Sequence, residues 1–133
     1  MSDFRKLKVW QKANELATLI EPVCERIARR KPGLADQLER AVWAIPAAIA
    51  EGSGLGTDKA YANCVSTGIG EASEAENHLQ RALESRLIFE QEHVSFTERV
   101  IEVRRMLIGL RKTLREGKKT DESVRTPSSR DVR

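Results

Sequence analysis

Apolar residues recur along this chain at alternating spacings of four and three, the period that keeps one stripe of a helix turned toward a core. Val9, Ala13, Leu16, Ile20, Val23 and Ile27 form the first run, which predicts a helix from Asp3 or Phe4 to Arg30. Leu34, Leu38, Ala41, Ile45 and Ile49 form the second. Tyr61, Val65, Gly68, Ala72, Ala75, Leu79 and Ala82 form the third, and Phe96, Val100, Val103, Leu107, Leu110 and Leu114 the fourth. The expected helices lie near 4–30, 34–52, 57–87 and 91–116, and few segments read as strands. The fold class is therefore all-α: an antiparallel up-down four-helix bundle over 1–116. The following 117–133 is polar and basic, with almost nothing to bury, and is expected to be a disordered tail.

The second run differs from the others. No side chain from Ala41 to Ala50 is charged, and Val42, Trp43, Ala47 and Ala50 cover the sides that the main stripe leaves. A helix apolar all round is buried all round. It is too short to span a bilayer, which takes roughly 20 apolar residues. It is either the central helix of a core or a core helix that also faces another subunit. Pro46 inside it predicts a kink near Val42–Pro46, read as structural rather than catalytic, and Gly52 and Gly54 are expected to end it. Pro22 should bend or split the first helix in the same way.

The connections carry less. Lys31-Pro32-Gly33 reads as a turn. Gly52–Gly56 (GSGLG) lacks the preceding strand and the Gly-Lys-Ser/Thr register of a phosphate-binding loop, so it reads as a flexible loop with Thr57 as the next helix's N-cap. Neither Gly nor Pro marks the break before the fourth helix, which falls around Leu87–Gln91.

Composition narrows the function. At 133 residues the chain is one domain, with 32% charged and 5% aromatic residues. Cys24 and Cys64 have no metal or C-x-x-C spacing and read as small core residues. The N-terminal MSDFRKLKVW has no apolar run before a cleavage site, so a reducing bacterial cytoplasm is expected. The net charge of +3 is unevenly spread: the first and last helices are basic and the third is acidic. Arg26, Arg29, Arg30 and Lys31 cluster at the end of the first helix, where the helix dipole also favours cations.

Candidate chemistry is thin. Glu90-x-x-His93 has the spacing of ferritin-like di-iron bundles, but such a site needs two of these motifs and two further glutamates. His78 flanks the third seam. No enzyme activity, cofactor or metal is expected. Two non-enzymatic readings remain: an oligomeric module binding nucleic acid or a nucleoprotein, and a structural or protein-interaction scaffold. The first rests on Arg104, Arg105, Arg111, Lys112 and Arg115 of the fourth helix, with Lys118 and Lys119 just beyond. With few aromatics to stack on bases, recognition would be of backbone phosphate, in RNA or DNA.

Two packing expectations follow. One is that Trp43, Ala47 and Ala50, or the Ile101 and Ile108 flank of the fourth helix, contact another subunit. The other is a buried ion pair. In an antiparallel hairpin turning near Gly54, Arg40 lies level with Gly70–Glu71 and one turn from Glu74, either of which would be its partner.

FRKLKVWQKANEL (Phe4–Leu16), QLERAVWAIPAAIAEG (Gln37–Gly52) and, more weakly, GEASEAENHL (Gly70–Leu79) resemble the four-helix-bundle proteins encoded in intervening sequences of bacterial large-subunit ribosomal RNA genes. That family is related to the accessory variability protein of diversity-generating retroelements. The resemblance implies an up-down bundle, a ring-shaped homo-oligomer, pentameric in known members, and no established enzyme activity. It also suggests a nucleoprotein partner such as a reverse transcriptase, and no membrane. The family's central helix carries a polar stripe; here Gln37, Arg40 and Glu51 are its polar ends, and Ala44 and Ala48 stand where the family has Ser and Asn. Its Gly-Ser and Glu-Leu pairs appear as Gly70-Glu71 and Glu74-Ala75.

Overall fold

The computed structural model describes residues 3–117. Four helices follow one another: α1 (Lys8–Ala28), α2 (Pro32–Ser53), α3 (Asp58–Glu84) and α4 (Glu90–Arg115), with a 3-10 turn, Phe4–Lys6, ahead of them. Each helix packs on its neighbours in sequence, and α1 also touches α4, so the four close into an antiparallel bundle with α2 and α4 on opposite corners. The four seams are buried from Val9 through Leu114 except at Leu34, Tyr61 and Phe96, which are partly buried. Among the described residues no helix is long and apolar enough to cross a membrane. Lys118, Lys119 and the expected tail lie outside the described residues.

The first helix starts later than its apolar period suggests. Leu7 is extended (φ −79°, ψ 129°) and only 1% exposed. Turning that side chain into the core breaks the helical path between Lys6 and Lys8. Phe4 then packs edge-on against Trp10, with ring centroids 5.4 Å apart.

The two prolines do not split their helices. Pro22 is exposed in α1, and Pro46 is buried in a continuous α2. Pro32 opens α2, two residues earlier than expected, because the first helical position has no use for an N–H.

Gly52 does not end α2 but allows α3 to come close. A Cβ there would meet the Tyr61 ring at 2.6 Å. Gly54 is right-handed (φ −95°), and the left-handed residue of this loop is Gly56. Thr57 caps α3 as expected, its Oγ accepting from the Ala60 N–H at 3.1 Å.

The end of α3 explains why no glycine marks it. Arg86 itself adopts the left-handed conformation (φ 59°). The Arg86 N–H donates to the Leu83 carbonyl and the Leu87 N–H to the Ala82 carbonyl, the paired bonds of a Schellman turn. The small residues of α3 receive Leu107 and Ala48, which lie 3.5 and 3.6 Å from a Cβ placed at Gly68. Trp43 is only half-buried.

Candidate nucleic-acid interface

The bundle divides the basic residues of α4 between two faces. Arg104 lies on the flank toward α3, where its guanidinium donates to Glu76 at 2.7 Å and to the Ser73 hydroxyl at 3.3 Å. Arg111, seven residues on, donates to the Ser66 hydroxyl at 3.2 Å. Both are half-buried and tie α4 to α3. Arg105, Lys112 and Arg115 are exposed. The five thus do not make the single patch that their closeness in sequence suggests. A 100° step per residue separates Arg104 from Arg105 as surely as distance would.

Antiparallel topology brings other cations to the same end of the molecule. The start of α1 and the end of α4 share that end, and Lys6 and Lys8 are exposed there. Arg5 is held by Asp3, with Nε 3.0 Å from the carboxylate. Lys6, Lys8, Lys112 and Arg115 are exposed toward this end of the bundle, which they share with exposed Glu51 and Glu116, and sequence reading missed the two lysines because more than a hundred residues separate them from Arg115.

Between α1 and α4 charges of both signs interlock. Lys12 meets Glu102 at 3.5 Å, Glu15 meets Arg99 at 3.1 Å, and Arg26 bonds to Glu92. Glu92 also accepts the Phe89 N–H at 2.9 Å, capping α4, while the Arg26 guanidinium lies over the Phe89 ring. Burial pushes the Glu92 carboxyl upward, but the bonds from Arg26 and the Phe89 N–H outweigh it and hold the group below the ordinary carboxylate value. A groove of about 610 Å³ beside this seam, lined by Lys12, Glu15, Arg99, Glu102 and Arg105 among others, is correspondingly mixed in sign.

The buried ion pair expected for Arg40 does not form. The Arg40 side chain is 79% exposed and meets Asp36, one turn back on its own helix, at 3.5 Å. Glu74 faces His78 at 3.4 Å, and Glu71 is half-buried. Height along the helix does not fix direction around it, and Arg40 turns outward. The α2 flank that meets α3 carries Ala48, so the middle of the polar stripe is replaced by close packing against Gly68. Glu51 remains exposed at its end.

Neither candidate subunit surface is fully buried within the single chain. Ala47 is exposed, with Trp43 and Ala50 half-buried; Ile108 is 44% exposed and Ile101 half-buried.

Burial, reinforced by Glu39, Glu21 and Glu25, pushes the Cys24 thiol up to about 12, so it stays protonated near neutrality. Cys64 is also raised, by burial and then Glu51. Glu90 of the Glu-x-x-His pair is exposed rather than turned into the bundle. Among the described residues no three His, Cys, Asp or Glu side chains are placed to hold a metal ion.

Four antiparallel helices around one apolar core, with charged outer faces, define a helical-bundle protein of the up-down class. The chain belongs to the 23S rRNA-intervening sequence protein family, whose model matches residues 5–109. It is also similar to the crystal structure of a protein of unknown function from the S23 ribosomal protein family of Bacteroides thetaiotaomicron. The two share 22% identity at a TM-score of 0.74, over 79% of this chain and 99% of that one. No curated protein matches the chain.

Proposed function

We propose that this protein is a non-enzymatic, self-associating helical bundle that binds the phosphate backbone of nucleic acid, alone or within a nucleoprotein. The observation that carries this reading is the set of four exposed cations, Lys6, Lys8, Lys112 and Arg115, that the topology brings toward one end of the bundle. A polyanion is the ligand that several spaced cations hold together better than any one of them alone. Self-association repeats the surface, and weak contacts on separate copies then act jointly. With 5% aromatic residues there is little to stack on bases, so binding is tolerant of sequence.

The test is a titration with RNA and with DNA at two salt concentrations. Affinity should fall with a log–log slope of about −0.7 to −0.9 per phosphate contacted. Reversing charge at Lys8 and Arg115 together should weaken binding to every sequence alike. A flat titration near physiological salt would replace this reading with that of a scaffold without nucleic-acid binding.

A further inference from the structure

The flank along which α3 meets α4 is polar at three levels, and arginine closes two of them. Arg111 reaches the Ser66 hydroxyl, and seven residues earlier Arg104 reaches Ser73 and Glu76. Seven residues earlier again stands Thr97, with His93 one turn before it, both half-buried. At this third level lies a recess of about 330 Å³, lined by Ser73, Glu76, Asn77 and Gln80 of α3 and by His93 and Thr97 of α4. All six side chains end in hydrogen-bonding groups. Three of those groups are unused. The Thr97 hydroxyl oxygen is buried yet has no partner among the described residues, and the Asn77 amide and His93 ring have none there either. Buried polar atoms as a rule have partners, because an unmet one costs free energy. Glu76, the one carboxylate of the lining, is already paired with Arg104 at 2.7 Å. The recess thus offers no uncommitted cation to a phosphate, and suits a neutral group that carries donors and acceptors side by side.

We propose that this recess takes one unpaired base of a single-stranded nucleic acid. The proposal rests on the phosphate-binding reading above and names the form of nucleic acid that fits it. A base edge presents donors and acceptors next to one another, and the Asn77 amide presents the complementary pair. Adenine, with N7 accepting and N6 donating, is the base that an asparagine amide matches at both points. The Thr97 and Ser73 hydroxyls can donate or accept, and His93 supplies the one aromatic ring of the lining. A base enters a recess only after leaving its stack, which in a duplex also breaks its pair, so a single strand is favoured. Thr97 lies about 22 Å from Lys112 and about 27 Å from Arg115 along α4. A strand held at those cations can therefore run down the side of the same chain to the recess. Phosphate contacts position the strand, and the recess reads one base.

Fluorescence anisotropy with the full chain tests this, using labelled oligo(A), oligo(C) and oligo(U) of one length and an A·U duplex. Oligo(A) should bind about fivefold or more tighter than oligo(C) or oligo(U). Thr97→Val with Asn77→Ala should remove that difference, with the salt slope, the duplex affinity and the helical circular dichroism all unchanged. Reversing charge at Lys8 and Arg115 should weaken all the ligands alike and keep the preference. Free adenosine followed by amide NMR gives a second readout, whose shifts should centre on Asn77, His93 and Thr97. Binding without a base preference, or a preference that survives the double substitution, would overturn the recess and leave phosphate binding standing. If no nucleic acid binds, the phosphate reading falls and the adenosine titration decides the recess alone: shifts at these three residues keep it, and their absence ends it.

Discussion

The two sides of α4 use nearly the same residue types for opposite purposes. Leu107 and Ile108 are neighbours, yet Leu107 is fully buried and Ile108 is 44% exposed. Arg104 and Arg105 are neighbours and chemically identical, yet one is bonded to Glu76 and the other faces solvent. On the inner side, residues stabilise the single chain. On the outer side, Arg105 and Ile108 are exposed to solvent. Whether a cation or an isoleucine is tied into the fold or left at the surface is thus a matter of angle around the helix.

The sharpest way to break that comparison is to truncate the two aliphatic neighbours in turn. Leu107→Ala should lower unfolding free energy by about 2–5 kcal/mol in urea denaturation, because it opens a hole in the seam against Gly68. Ile108→Ala should change monomer stability by less than about 0.5 kcal/mol. Any loss at Ile108 that grows with protein concentration belongs to association, and equal losses at both positions would erase the distinction.

The arginine pair gives a smaller contrast. Arg104→Ala leaves Glu76 without its partner and should destabilise by about 1–2 kcal/mol, whereas Arg105→Ala should be near neutral for the isolated chain. Thermal melts of the two variants at one low concentration separate them.

At the other end of α4, Glu92→Gln should destabilise by about 1 kcal/mol at neutral pH, through loss of the Arg26 bond and of part of the cap. The folded pKa of Glu92 lies below its ordinary value. Its contribution is therefore complete above the unfolded value and is lost as pH falls through the folded one. The gap between wild type and Glu92→Gln should close on acidification below about pH 4. A gap that widens there would contradict the sign.

The smallest effect is a gain. Arg86 pays for a left-handed backbone that glycine adopts without penalty, so Arg86→Gly should raise stability by up to about 1 kcal/mol. A loss on the same substitution would mean that the Arg86 side chain contributes more than its backbone strain removes.

Periodicity alone made the four helices, their order and their buried seams legible. A four-three spacing of apolar residues is a property of the chain before it folds, and in the fourth seam Val100, Val103, Leu107, Leu110 and Leu114 are buried and Phe96 partly so. The Thr57 cap was legible for the same reason, since a cap is decided within four residues. What the spacing could not supply was direction around each helix relative to its neighbours. Arg40 was expected level with Gly70–Glu71 and facing them; it turns outward, because rise per residue is local while the way α2 meets α3 is set by tertiary contacts such as Gly52 against Tyr61 and Ala48 against Gly68. The same tertiary choice tied Arg104 and Arg111 to α3 and brought Lys6 and Lys8 to the end that carries Arg115. Leu7 broke the first helix early because its burial outweighed one more helical turn. Sequence by itself determined which stretches are helical and which stripe each must bury. Tertiary structure decided which of the remaining charges pair within the chain and which are left outside, since that depends on how four cylinders rotate to close one core.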